Sequence, residues 1–517
     1  MASEIFAAID VGSYELGMKI FELSPKKGVK QLDHIRHHID LGTETYSTGR
    51  ISYHHVSELI RVLLEFENIM SSYGVTHYQA YGTSALRETN DINIVLEQLQ
   101  QRTGIRIDIL SNSEQRFLDY KSVAIKGEEF NKILEKPTAF VDIGGGSIQI
   151  SLFEKDTLVT TQNLKLGVLR LHSFLERLHT SKQKYPETIQ ELVGSQLSVF
   201  SKMYLKDHKV SNVIILDDYI GPVIRAIQDD RYGKGYADVK AYMQYLKGMH
   251  NMSRSDIARN LGIAEDDVAL MYTSSQLIKC ILKETEADLI WTPGVTLCDG
   301  IAYEYAERKK IVKMSHNFED DIIACATNIS KRYMGSKSRS EMLQTLALKI
   351  FDSTKKLHGL GKRERLLLQI AAILHDCGKY ISMVYLGDCS YNIIMSTEII
   401  GLSHKERAIV ANVVRFNHED FEYYSQGAYR YIGLDHDAYL TISKLTAILR
   451  VANGLDRTHK QKFKNIKVFL KDNQLNIVVD TMDDITVETG LFAHRAEFFE
   501  EVYGIRPVIR QKRNLMQ

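Results

Sequence analysis

The chain has 517 residues, with 44% hydrophobic and 25% charged side chains, the balance of a folded protein of three or four domains. Lys and Arg together number 65, as do Asp and Glu, so bulk charge marks neither a DNA-binding nor a membrane-surface protein. No apolar run approaches the roughly 20 residues that span a bilayer, and no charged-then-apolar leader opens the sequence, so a cytoplasmic chain is expected.

Five scattered cysteines (Cys280, Cys298, Cys325, Cys377, Cys389) include no C-x-x-C pair. Reduced thiols are expected, not disulfides or zinc. Pattern changes divide the chain at residues 1–128, 129–308, 309–463 and 464–517.

Phe6-Ala7-Ala8-Ile9-Asp10-Val11-Gly12-Ser13 reads as a strand, an Asp, then Gly and a small hydroxyl. A second strand is expected over Leu16–Leu23. His34, His37 and His38 lie in a strand-like stretch and read as surface. Ser57–Tyr73 has the 3.6-residue apolar period of a helix. Tyr78–Tyr81 is a strand entering Gly82-Thr83-Ser84-Ala85-Leu86-Arg87. Its hydroxyls and Arg87 suit a phosphate, whose geometry the guanidinium fork matches. A helix N-cap at Thr83 or Ser84 with a solvated Arg87 explains the same residues. A strand over Arg106–Leu110 leads to Ser111-Asn112-Ser113-Glu114, a capping-box pattern. Glu114 is either that cap or a general base aimed at water.

Ala139-Phe140-Val141-Asp142-Ile143-Gly144-Gly145-Gly146-Ser147-Ile148 repeats the first motif with three glycines. Successive N–H groups in such a turn form a nest for phosphate, and an Asp at its mouth can hold Mg²⁺. A tight glycine hairpin is the plainer alternative. Two copies at domain-sized spacing suggest an internal duplication, with a ligand between similar lobes. Thr161–Leu171 gives a strand and a turn at Gly167, Phe174–Tyr204 is largely helical, and Asn212–Leu216 is a buried strand ending in Asp217-Asp218-Tyr219-Ile220-Gly221. Ser253–Leu282 resembles a helix-turn-helix. A buried αα-hairpin explains it as well, and neutral charge gives DNA no support. Leu289–Trp291 is a strand, and Ile301–Arg308 a helix after Gly294 and Gly300.

Beyond residue 309 the pattern is helical, including Leu343–Leu357 and Arg365–Leu374. His375 and Asp376, with the distant Asp456, can hold a divalent metal or make internal hydrogen bonds at helix ends. Two strands (Ile466–Leu470, Leu475–Val479), a helix (Thr489–Tyr503) and a strand (Pro507–Arg510) form a small α/β cap.

The stretches Ala8–Ser13, Thr83–Arg87, Ser111–Arg116, Val141–Ser147 and Leu166–Leu171 together resemble the exopolyphosphatase/guanosine pentaphosphate phosphohydrolase family in order and spacing. Ile373–Lys379 and Leu449–Arg457 resemble the HD-type domain that follows in longer members. The resemblance implies an α/β protein: two actin-like (ribonuclease H-like) lobes, an all-helical HD-like domain and a small α/β C-terminal domain. It implies removal of terminal phosphate from inorganic polyphosphate, or of the 5′-γ-phosphate from pppGpp, with Mg²⁺ or Mn²⁺, by a homodimer.

By position, Glu114 matches the water-activating Glu of the family and Arg87 its phosphate-binding Arg. Gly12, Ser13, Ser84, Gly144, Gly145, Gly146 and Ser147 match its phosphate contacts, and Asp142 and Asp10 its metal carboxylates. There are departures. Gln149 stands where the family commonly has Glu, and an amide is the weaker Mg²⁺ ligand. Cys298-Asp299 replaces an Arg-Glu pair. Arg339 and Cys389 stand where metal-binding HD members carry His, so the helical domain is expected to be structural or polyphosphate-binding, not a second hydrolase. The alternative to an exopolyphosphatase or a pppGpp phosphohydrolase is a catalytically weak sensor of the same anions.

Overall fold

The computed structural model describes residues 3–512 except 156, 180, 207–208, 230, 314–315, 425–433 and 465. Two compact units result, Met1–Phe318 and Glu319–Gln517.

Two sheets built on one plan make the first unit. In the first sheet, β1 (Glu4–Val11), β2 (Glu15–Ser24) and β3 (Gly28–His38) form an antiparallel meander, and β4 (His77–Gly82) and β5 (Asp108–Ile109) add parallel to β1. The order is β3-β2-β1-β4-β5. The second sheet repeats it with β6 (Thr138–Ile143), β7 (Ile148–Glu154), β8 (Thr157–Leu164), β9 (Asn212–Asp217), β10 (Tyr236–Asp238) and β11 (Leu289–Trp291) in the order β8-β7-β6-β9-β11, with β10 as an extra antiparallel edge. β1 and β6 are central and covered on both faces, which is why their apolar residues run continuously. Both sheets mix parallel and antiparallel pairs, as the expected duplication requires.

Each half ends on a helix that crosses to the other half. The helix Asn112–Ala124 follows β5, and its Tyr120 packs on Phe140 and Phe153 of the second sheet at 6.1 and 5.3 Å. The helix Leu297–Arg308 follows β11 and lays Ile301 and Tyr305 on Phe6, Ala8 and Phe21 of the first. Both open with a capping box, Ser111/Glu114 and Thr296/Asp299. The two helices touch at Gly300, where a Cβ would stand 2.1 Å from the Leu118 carbonyl oxygen. Gly300 thus lies inside a helix rather than before one: close packing, not a turn, requires it.

Other expectations shift. The strand expected over Arg106–Leu110 shrinks to β5. Phe174–Tyr204 is interrupted, with helices Val168–Arg177 and Tyr185–Phe200, the latter running into a π turn at Ser201–Leu205. The helices Arg254–Leu261 and Val268–Thr285 bury Ile257, Leu261 and Leu270 in the core of the second lobe. That is the αα-hairpin reading of this stretch.

In the second unit the helix Lys362–Leu374 is buried along Leu366–Leu374, among helices Lys337–Ser353, His404–Phe416 and His436–Leu455. A three-stranded sheet closes it: β12 (Ile466–Lys471) antiparallel and β14 (Arg506–Gln511) parallel to β13 (Gln474–Val479). Its helix Thr486–Tyr503 packs on His436–Leu455. No helix among the described residues is long and apolar enough to cross a membrane.

Candidate functional site

The two glycine hairpins meet. A Cβ on Gly145 would lie 3.0 Å from Ser13 Cβ, and one on Gly146 would lie 2.5 Å from Ser84 Oγ. Ser13, Ser84 and Gly144–Ser147 are therefore one locus. The carbonyls of the glycine turn all face away from it. Gly144 O accepts from Val168 N at 3.1 Å, Gly145 O from Leu169 N at 3.0 Å, and Gly146 O from Arg170 Nε at 3.0 Å. Tying three carbonyls to the start of one helix turns the N–H groups the other way. No acceptor among the described residues takes the N–H of Gly145, Gly146 or Ser13. Gly167 permits this, since a Cβ there would stand 2.3 Å from the carbonyl of Gly145; its φ of −64° is ordinary, so contact and not a special turn explains it.

Tyr46 was not singled out by sequence. Its hydroxyl bridges Ser13 Oγ at 2.8 Å and Ser84 Oγ at 2.6 Å, and Arg170 stacks 4.5 Å over its ring. One phenol thus ties the hydroxyls that follow β1 and β4, both in the first half, to one point. Thr83 sits at the N-cap position of the short helix after β4, but its side chain bonds Val11 O instead of capping.

Behind the glycine turn lies Arg116, 2% exposed. Its Nη1 donates to Asp142 Oδ2, its Nη2 donates to Ser147 Oγ at 3.2 Å, and Nη1 is 3.9 Å from Asp119. Burial, the charge of Asp142 and a hydrogen bond to it push the Asp119 carboxyl well above the usual range. Burial, with Asp218, Glu15 and Asp142 nearby, does the same to Asp10, whose Oδ1 is enclosed without a partner. The sequence signal for Arg116 was available. It stands four residues before Tyr120, on the face of Asn112–Ala124 that must be buried, where a charge demands a partner.

These residues do not fit the expected Mg²⁺ or Mn²⁺. Asp142 already carries a charge-assisted hydrogen bond from a guanidinium. A divalent ion about 4 Å from that group would meet about 8 kcal/mol of repulsion at an effective dielectric of 20. Gln149, in the place of a third ligand, is 2% exposed and donates its Nε2 to Thr161 Oγ1. Among the described residues no three His, Cys, Asp or Glu side chains group as metal ligands do. Of the two carboxylates expected to hold a metal, Asp142 answers Arg116 through Oδ2, while Asp10 keeps an enclosed Oδ1 without a partner.

Glu114 does cap its helix, with Oε2 accepting the Ser111 N–H at 2.9 Å, which leaves Oε1 for a water. It is two positions from Arg116, hence on a different helix face. Arg87 is held beside it. Its Nη1 donates to Leu110 O at 2.6 Å and both Nη atoms approach Gln115 Oε1 at 3.4 Å. A cleft of about 420 Å³ opens next to the first hairpin, lined by Tyr14, Arg36, Asp217, Asp218, Tyr219 and Arg225.

In the second unit His375 is fully buried, with Nδ1 donating to Ala372 O at 2.9 Å and Nε2 unpartnered. Burial drives its pKa down to about 3. Arg339 Nη1 stands 4.0 Å from Asp376, and its Nη2 donates to Asn453 at 3.2 Å. Lys379 adds a second cation 3.5 Å from Asp376, and Asp456 accepts from Gln461 N at 3.0 Å. A guanidinium thus stands beside Asp376 in the set His375, Asp376 and Asp456 that the sequence offered for a metal. His37, read as surface, pairs with Glu58 at 3.2 Å on the edge strand β3.

Comparison with known proteins follows the same division. The pattern of the Ppx/GppA phosphatase family matches residues 20–309, and that of Ppx/GppA phosphatase, domain III, matches 323–495. A guanosine-5'-triphosphate,3'-diphosphate pyrophosphatase of Vibrio vulnificus is 21% identical over 420 residues, 80% of each chain. An exopolyphosphatase 1 of Mycobacterium leprae is 30% identical over 128 residues, 25% of this chain and 36% of that protein. The crystal structure of an exopolyphosphatase from Cytophaga hutchinsonii superposes with a TM-score of 0.52 at 17% identity, covering 60% of this chain and 100% of that one. The two-sheet unit has the actin-like fold of these proteins.

Proposed function

The chain belongs to the Ppx/GppA phosphatase family, and from that premise we propose that it is a phosphoanhydride hydrolase releasing terminal phosphate from inorganic polyphosphate. The observation that carries this is the glycine turn, whose carbonyls are tied back so that its N–H groups are left for an anion. The terminal phosphate sits against Gly144–Ser147, Gly12 and Ser13, with Ser84 and Arg87 contributing donors. Phosphoryl transfer to water needs positioning and charge neutralisation more than covalent help. Water attacks the terminal phosphorus and gives its proton to Glu114 Oε1. The P–O bond to the bridging oxygen breaks, and its electron pair leaves with the shortened chain.

A second reading, pppGpp as substrate, rests on two observations. The relative covered over 80% of its length carries that activity in its name, and the cleft beside the first hairpin presents Tyr14, Tyr219, Arg36 and Arg225, a surface on which a guanine can stack. Parallel assays of phosphate release from long-chain polyphosphate and from pppGpp decide between them. Binding of both without turnover would make the protein a sensor.

The helical unit is proposed to descend from an HD-like domain and to pair two subunits in a cytoplasmic homodimer. The exposed run Tyr380, Ile381, Met383, Val384 and Tyr385, at 61–80% exposure, supports that face as the contact. Sedimentation of Val384→Glu as a monomer would bear this out.

A further inference from the structure

The carboxylate of the second hairpin, Asp142, is buried and bonded by the Arg116 guanidinium. We infer that Arg116 is the resident cation of this site, and that the hydrolysis proposed above runs without a divalent metal held by the protein. The inference rests on that reading of the site as a hydrolase.

The geometry is specific. The guanidinium spans the glycine turn from below, bonding Asp142 at its start and Ser147 at its end. A Cβ on Gly144 would be 3.7 Å from Arg116 Nη2, so the charge lies against the first residue of the turn, next to the unpartnered N–H groups of Gly145 and Gly146 in the chain. Gln149 fits the same logic. A carboxylate there would help hold a metal, but a neutral amide avoids adding charge that a single guanidinium could not balance. Asp119, one turn along the helix, stands 3.9 Å from the same Nη1 that bonds Asp142. Arg116 itself makes and breaks no bond. It offsets negative charge at the turn while water, Glu114 and the departing phosphate exchange the proton and the P–O bond.

Arginine differs from a metal in ways that can be measured. Its charge is permanent and no chelator removes it. The wild-type protein should release phosphate from polyphosphate in excess EDTA within about threefold of its rate in Mg²⁺. Titration with Mn²⁺ followed by electron paramagnetic resonance should show no stoichiometric site. Arg116→Ala should lose at least about 100-fold of the EDTA rate, the scale for removing one preorganised charge-stabilising group. It should regain part of that rate with non-denaturing guanidinium, and it should acquire a Mn²⁺ site that Asp142→Asn removes.

Stoichiometric Mn²⁺ binding to the wild type that Asp142→Asn abolishes would overturn the inference, as would phosphate release that stops in EDTA and returns with Mg²⁺. If the alanine variant does not fold, the wild-type titration still decides. If neither substrate is hydrolysed under any cation, the hydrolase reading fails while the Mn²⁺ result still reports on Arg116.

Discussion

Two places in this chain bury an arginine among carboxylates where a divalent ion is expected, and they differ in what surrounds the charge. Arg116 lies against a glycine turn in which the N–H groups of Gly145 and Gly146 meet no acceptor among the described residues. Arg339 lies in a packed knot where Asn453 takes one of its nitrogens, Lys379 shares Asp376, and His418 donates to the carbonyl of His375 at 2.6 Å. On the inference drawn above, a guanidinium serves chemistry at the first place and packing at the second. The two guanidiniums differ in what their charge can serve: on the reading proposed above, only Arg116 stands beside donors left for a substrate.

The sharpest break between the two sites should be in rate. Glu114→Gln should lower phosphate release by about 10²–10⁴-fold, the usual share of a general base. His375→Gln should leave it unchanged. Equal losses in a phosphate-release assay would erase the distinction.

Stability should separate them next. Arg116→Ala removes the cation facing a buried Asp142 and should cost about 3–5 kcal/mol. Arg339→Ala leaves Lys379 to face Asp376 and should cost about 1–3 kcal/mol. Denaturant unfolding measures both. Gly167→Ala tests the turn itself. Overpacking should cost about 1–3 kcal/mol, but phosphate release should suffer more than stability, since the added methyl strikes the peptide at Gly145.

The smallest effect is a dependence on pH. The buried His375 has its pKa lowered to about 3, against about 6.5 in an unfolded chain. Between these values the unfolded state binds the extra proton, so stability falls as pH drops from about 6.5 toward about 3. His375→Gln should flatten the melting temperature profile across that window.

Much of the fold could be read locally. The capping box at Ser111 and Glu114, the strand Leu289–Trp291 and both glycine hairpins are written in short-range patterns that need no knowledge of neighbours. What escaped depended on distant residues. Arg116 meets Asp142 across 26 positions, and Tyr46 meets Ser84 across 38. Gly300 was placed before the helix and not inside it because nothing local announces the Leu118 carbonyl beside it. Arg87 could be recognised as a donor, but its hold on Leu110 O depends on how β5 ends.

The crossing of the two terminal helices has a consequence for how this unit acquires its structure. The first sheet is roofed by Ile301 and Tyr305 from the end of the second half, and the second by Tyr120 from the end of the first. Neither repeat covers both faces of its own sheet. A fragment ending at residue 128 would expose Phe6, Ala8 and Phe21 and carry a helix with nowhere to bury Tyr120. On the ribosome the first half must therefore wait for the second, and the glycine hairpins come face to face only when both are whole.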